Sequence, residues 1–222
     1  MNILLALRVP DYFTLLNAAF GLCALLAAGQ SQDQISAQLA VIFIIFAAIA
    51  DGLDGFLARK LGSSPIGANL DSLADLVSFG VAPAFLALNA FDSPNLWPAG
   101  IFYLLCGTLR LARFNLYSKG DQFFEGLPIP AAGIALSGSV LLGSQLLTLI
   151  LMLLLAILMI SSVSYPKVRD RKSAAFLALA SLVAGILVWL QKDIVYPSHL
   201  LIAIIIVYLI SPVVISCLQK GK

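Results

Sequence analysis

Asp51, Asp54, Asp71 and Asp75 are the residues of this chain whose type and spacing could do chemistry. They stand in a sequence of which 61% is hydrophobic and only 11% charged. The first pair is spaced i,i+3 and the second i,i+4, so on helices each pair shares one face. The polar turn Gly62-Ser63-Ser64-Pro65 between them lets two helices run antiparallel and brings the faces together. Four carboxylates at that range repel one another unless cations neutralise them. Hard oxygen donors favour Mg²⁺, Mn²⁺ or Ca²⁺. Acids in apolar helices are costly, which argues for a functional cluster over helix caps or interfacial charges.

The stretch from Asp51 to Arg59, followed by Gly67, Asp71 and Asp75, resembles the signature of the CDP-alcohol phosphatidyltransferase family. That signature reads D-x-x-D-G-x-x-A-R, a spacer, then G-x-x-x-D-x-x-x-D. Asp51, Asp54, Gly55, Ala58, Arg59, Gly67, Asp71 and Asp75 fill its fixed positions, with a spacer, Lys60 to Ile66, one residue shorter than usual. The resemblance implies a membrane enzyme that moves the phosphatidyl or archaetidyl group of CDP-diacylglycerol or CDP-archaeol to an alcohol and releases CMP. It implies two divalent ions, Mg²⁺ or Mn²⁺. One would be held by Asp51, Asp54 and Asp71, and the second by Asp71 and Asp75 with Asp51 bridging. It makes Asp75 the candidate general base, with its role as base, ligand or both left open. It assigns Gly55, Ala58, Arg59 and Gly67 to the CDP-lipid, Arg59 to the diphosphate in particular, and suggests a homodimer.

Other segments extend the likeness. Pro10-Asp11-Tyr12-Phe13-Thr14-Leu15-Leu16-Asn17 resembles the family's entry to its first span, with Asp11 in place of an asparagine. Thr14 and Asn17 share a helix face and suit either a nucleotide or a neighbouring helix. Ala47, Ala50, Gly55, Ala58 and Ala74 suit close helix packing or room for the nucleotide. Arg110-Leu111-Ala112-Arg113-Phe114-Asn115, the stretch from Phe124 to Gly133, and the stretch from Asp71 to Pro83 resemble the branch of the family that uses L-serine. Arg110 and Arg113 share a face at the depth of the aspartates. They suit either headgroup anchoring or recognition of an anion, here the serine carboxylate.

The elements that must position these residues are membrane helices. The apolar fraction exceeds that of soluble domains, and lipid admits only segments that satisfy their own backbone. The expected fold is an all-α bundle of about eight spans in a single domain over 1–222. The spans read as Tyr12 to Ala28, Ile35 to Leu61, Asn69 to Phe91, Leu96 to Tyr117, two segments between Ala131 and Ser164 broken at Gly143-Ser144-Gln145, Ala174 to Leu190, and Ser198 to Leu218. Leu4 to Tyr12 reads as an N-terminal interfacial helix, with Pro10 breaking it from the first span.

With eight spans and the N-terminus inside, every Lys and Arg of the 13 except Lys192 falls on the inner side, as the positive-inside rule demands. Seven spans would put the cluster from Lys167 to Lys172 outside. The aspartates then lie at the cytoplasmic ends of spans two and three. The expectation is an integral protein of the cytoplasmic membrane, its active site and both termini facing the cytoplasm.

The net charge of +2 includes no clustered basic arm, which argues against a nucleic-acid partner. Met1 to Leu7, followed by Arg8, offers no leader cleavage site. Cys23, Cys106 and Cys217 lack zinc spacing and read as core residues, and His199 as interfacial. Three rivals stay open. One is the same chemistry with glycerol 3-phosphate or an inositol phosphate as acceptor, which would need a denser basic pocket than Arg110, Arg113 and the single Glu125 suggest. Another is a cation-coupled transporter, whose acids belong near the bilayer midplane on broken helices. The third is a non-catalytic scaffold.

Overall fold

The computed structural model describes residues 6–30, 32–117 and 123–166. Six helices carry the architecture: α1 (Val9–Gln30), α2 (Gln34–Leu61), α3 (Gly67–Phe91), α4 (Trp97–Tyr117), α5 (Ile129–Leu141) and α6 (Gln145–Ile160). The one exception to the helical fold among the described residues is a short antiparallel pair, β1 (Phe123–Glu125) and β2 (Ser164–Pro166), with Phe124 opposite Tyr165. Helices α1, α2 and α3 are long and apolar enough to cross a membrane, and α5 and α6 are shorter apolar helices. Exposed Leu15, Leu22 and Leu26 on α1, and Ile101, Leu105 and Leu109 on α4, give these helices apolar outer faces.

The sequence-read boundaries fall close to those observed. The break at Gly143-Ser144-Gln145 is real. Gly143 takes φ 68°, and Ser144 caps α6 by accepting from the Leu147 backbone N–H at 3.4 Å. Pro10 does not break a helix. It lies in the first turn of α1, where its missing N–H costs no hydrogen bond, and Tyr12 belongs to that helix. The non-helical residues are instead Leu7 and Arg8. Residues 1–5, the seventh and eighth spans and His199 lie outside the described residues.

The core is built from Ile44 of α2, Phe79 and Leu86 of α3, Tyr103 of α4, Leu136 of α5, and Met152, Leu155 and Met159 of α6, all fully buried. The most extensive helix contact is α1 on α2, and α1 also packs along the whole of α3. Contact between α2 and α3 themselves is slight. The hairpin of the sequence reading is therefore held by α1 as a common wall.

Midway along α3 the winding changes. Gly67–Asp75 and Ala82–Phe91 are α-helical, but Leu76–Val81 is π-helical. Such turns leave backbone groups less regularly paired, and side chains meet them here. The Tyr103 hydroxyl donates to the Phe79 carbonyl at 2.9 Å. Two glycines let neighbours close on the same segment. A Cβ on Gly133 would stand 2.9 Å from Phe79 Cα, and one on Gly21 would stand 2.9 Å from Ser78 Cα.

Candidate active site

The acidic faces converge as their spacing predicts. One carboxylate oxygen from each of Asp51, Asp54 and Asp71 lies within 4.8 Å of the others. Asp75 lies one turn beyond Asp71 and beside Asp51, close enough for the two charges to repel. Asp54 and Asp75 are buried, whereas Asp51 and Asp71 are half-buried. Helix α2 is held at both ends. Asp33 caps its start by accepting from the Ser36 backbone N–H at 3.0 Å, and Gly62, at φ 85°, closes it with its own N–H on the Ala58 carbonyl.

The polar face of α1 closes over the acids. The Thr14 hydroxyl donates to Asp54 Oδ2 at 2.7 Å, and Asn17 Nδ2 donates to Asp75 Oδ1 at 3.2 Å. These bonds join α1 to α2 and α3 at the level of the acids. The backbone carbonyl of Asn17 accepts from the Ser78 hydroxyl at 2.9 Å, which ties α1 to the π-helical segment.

The two arginines part company. Arg110 is buried, its guanidinium 5.3 Å from the Phe114 ring centre, and its charge acts on Asp51, Asp71 and Asp75. Arg113 points at the end of α6, donating to the carbonyls of Met159 at 3.1 Å, Ser161 at 3.2 Å and Ile160 at 3.3 Å. A cation there satisfies the unpaired carbonyls and the dipole of a helix C-terminus. The turn before α5 folds onto the same place, with Gly126 N–H on the Val163 carbonyl and Leu127 N–H on that of Leu158. Asn115 Nδ2 donates to Ser72 Oγ at 3.0 Å, so the last turns of α4 are pinned to α3 as well as to α6.

Arg59 lies beside Gly55, where an added Cβ would stand 3.5 Å from its Nη1. Ala58 lies one residue before it on α2, half-buried. Gly67 opens α3 against Asp11 and Ser64, each 3.3 Å from where its Cβ would be.

Asp11 and Ser64 are what the sequence reading missed. Asp11 is buried, and both its oxygens are engaged: Oδ2 accepts from the Arg8 backbone N–H at 2.6 Å and Oδ1 from the Ser64 hydroxyl at 3.0 Å. It clamps the turn between α2 and α3 to the start of α1. The one visible signal was an acidic residue where the family has an asparagine.

The donor set suits a hard divalent cation. Three carboxylates converge from two helices, a fourth adjoins them, and Arg110 brings a balancing positive charge. Asp51, Asp54, Asp71 and Asp75 are the residues that could hold such ions.

A family model described as CDP-alcohol phosphatidyltransferase matches residues 7–215. A protein of Methanocaldococcus jannaschii named CDP-diacylglycerol–serine O-phosphatidyltransferase is 46% identical over 134 residues, 60% of this chain and 60% of that one. The archaetidylserine synthase of Methanothermobacter thermautotrophicus is 41% identical over 137 residues, 59% of this chain and 57% of its own. A CDP-diacylglycerol–serine O-phosphatidyltransferase of Bacillus subtilis is 39% identical over 132 residues, 58% of this chain and 72% of its own. The match thus spans about three fifths of the length of the two archaeal relatives.

Proposed function

Because the chain belongs to the CDP-alcohol phosphatidyltransferase family, we propose that it transfers the phosphatidyl or archaetidyl group of a CDP-lipid to the hydroxyl of L-serine. The observation that carries this reading is the convergence of Asp51, Asp54 and Asp71 with Asp75 and Arg110 beside them. A bond forms between the serine oxygen and the lipid-bearing phosphorus, the phosphoanhydride bond to CMP breaks, and the hydroxyl proton passes to Asp75. Divalent ions on the four aspartates would supply charge neutralisation to the diphosphate and to the departing CMP.

The chain's own residues do the rest. Asn17 Nδ2 fixes one oxygen of Asp75, leaving the other carboxylate edge for the hydroxyl. Thr14 holds Asp54 in the same way. Arg110 is the anchor for the serine carboxylate, since Arg113 is engaged with the end of α6. Arg59 serves the diphosphate, and Gly55, Ala58 and Gly67 keep side chains out of its way. One buried arginine among the acids suits a carboxylate better than a phosphorylated acceptor, which would bring more negative charge to the same place.

The wider reading is a single domain of eight spans with an interfacial segment ahead of α1. It sits in the cytoplasmic membrane as a homodimer, with the aspartates and both termini on the cytoplasmic side. The deciding assay uses purified protein, Mn²⁺, and CDP-diacylglycerol or CDP-archaeol, with L-serine, glycerol 3-phosphate and an inositol phosphate offered separately. CMP release with L-serine is the expected result. CMP release with a phosphorylated acceptor and none with serine would overturn the assignment.

A further inference from the structure

Asn17 is fully buried, and the two ends of its carboxamide differ. Nδ2 donates to Asp75, whereas Oδ1 has no hydrogen-bond partner among the described residues. The opposite orientation of the amide would set oxygen against the Asp75 carboxylate, acceptor against acceptor, so the bonding pattern fixes this one. The backbone that carries this side chain is fixed: the main-chain carbonyl of Asn17 accepts from the Ser78 hydroxyl, and one turn further on Gly21 lies against the Ser78 backbone. Buried acceptors are nearly always paired, so a buried oxygen held in place beside the candidate base is a place for a donor brought by a ligand.

We infer that Asn17 Oδ1 receives the ammonium group of the acceptor, making Asn17 a specificity residue for an amino acid over the corresponding hydroxy acid. The inference rests on the reading of Asp75 as the group that meets the acceptor's hydroxyl. In serine the hydroxyl and ammonium groups are carried on adjacent carbons. With the hydroxyl on Asp75, the nitrogen falls beside the carboxamide that is itself bonded to Asp75. The carboxylate, on the same carbon as the nitrogen, is left to Arg110, whose charge reaches Asp75. Three groups about one carbon then meet three different side chains.

The test compares L-serine with 3-hydroxypropanoate, which lacks only the amino group. The KM for serine and the inhibition constant of 3-hydroxypropanoate against it are measured in the wild type, Asn17→Ala and Asn17→Asp. A charge-assisted hydrogen bond corresponds to about ten- to a hundredfold in affinity. Asn17→Ala is expected to lose that much of the preference for serine. Asn17→Asp, which keeps an oxygen acceptor, is expected to retain it. The ratio cancels any common loss from a disturbed Asp75. An unchanged ratio in Asn17→Ala, or a rise confined to the KM for CDP-lipid, overturns the inference and leaves the proposed reaction standing. If Asn17→Ala does not turn over, calorimetric titration of CDP-loaded protein with L-serine reads the same contact, and affinity equal to that of the wild type overturns it. A wild type that releases CMP only with other alcohols overturns both readings.

Discussion

Replacing Gly21 by alanine probes how closely α1 must approach the π-helical segment of α3. The new Cβ would stand 2.9 Å from Ser78 Cα and 3.1 Å from Ser78 Cβ, with the Ser78 hydroxyl oxygen nearer still. Carbon atoms rest at about 3.5–4.0 Å, so the two helices must part by roughly 0.6 Å or more. The obstacle is backbone, which cannot rotate aside. Overpacking of this kind costs about 1–3 kcal/mol, offset in part by roughly 0.5–1 kcal/mol from alanine's better helix propensity. The functional loss should be larger than the loss of stability. Asn17 lies one turn before Gly21, and its 3.2 Å bond to Asp75 has little length to spare before it ceases to be a hydrogen bond. A displacement approaching 1 Å at a reacting group can lower turnover about a hundredfold. The assay pairs kcat at saturating substrates with thermal unfolding in detergent. Gly29→Ala on the same helix is the control, because its Cβ would meet Phe85 at an ordinary 3.7 Å. If Gly21→Ala turns over and melts like Gly29→Ala, the close approach does not position the site.

Asp71→Asn should abolish transfer while the protein still purifies as a folded species. Turnover near the wild-type level at saturating Mn²⁺ would remove Asp71 from the ion site. Arg113→Ala should lower stability by about 2–3 kcal/mol, since it strips three carbonyls of α6 of a charged donor. Its KM for serine should stay within about twofold of the wild type, and a rise of about tenfold or more, the loss of a charge-assisted hydrogen bond, would return Arg113 to the acceptor pocket. For topology, Asn95→Cys in a background lacking Cys23, Cys106 and Cys217 should react with an impermeant reagent from outside the cell. Ser173→Cys should react only after permeabilisation, and external labelling there rules out the eight-span arrangement.

Much of the site was legible because carboxylates in apolar helices are scarce and their spacing reports a shared face. Asp51, Asp54 and Asp71 meet for that reason, and the break at Gly143-Ser144-Gln145 was visible because the apolar run around it is too long for one span. What stayed hidden concerns which helix each face meets. In a chain apolar on every side, periodicity does not distinguish a lipid-facing stripe from a protein-facing one. The role of α1 as the wall between α2 and α3 could not be read for that reason. Arg110 and Arg113 lie three residues apart and read as one pair. Yet one reaches the acids and the other the end of a helix some 46 positions further on. The π-helical turn left no composition signal either, since Leu76–Val81 contains residues common in any membrane helix.

That turn makes the length of α3 a quantity in its own right. A π turn holds one residue more than the α turn it replaces. The segment can therefore be viewed as the imprint of a single inserted residue, accommodated by wider winding. Deleting one residue between Leu76 and Val81 would favour ordinary α winding and turn the Asp71–Asp75 face by about 100° against the half that ends at Phe91. The carboxylates would then be carried away from Asp51 and Asp54 although no acidic residue had changed. Substitutions within Leu76–Val81 alter how this helix packs, whereas a change in residue count alters where its chemistry points.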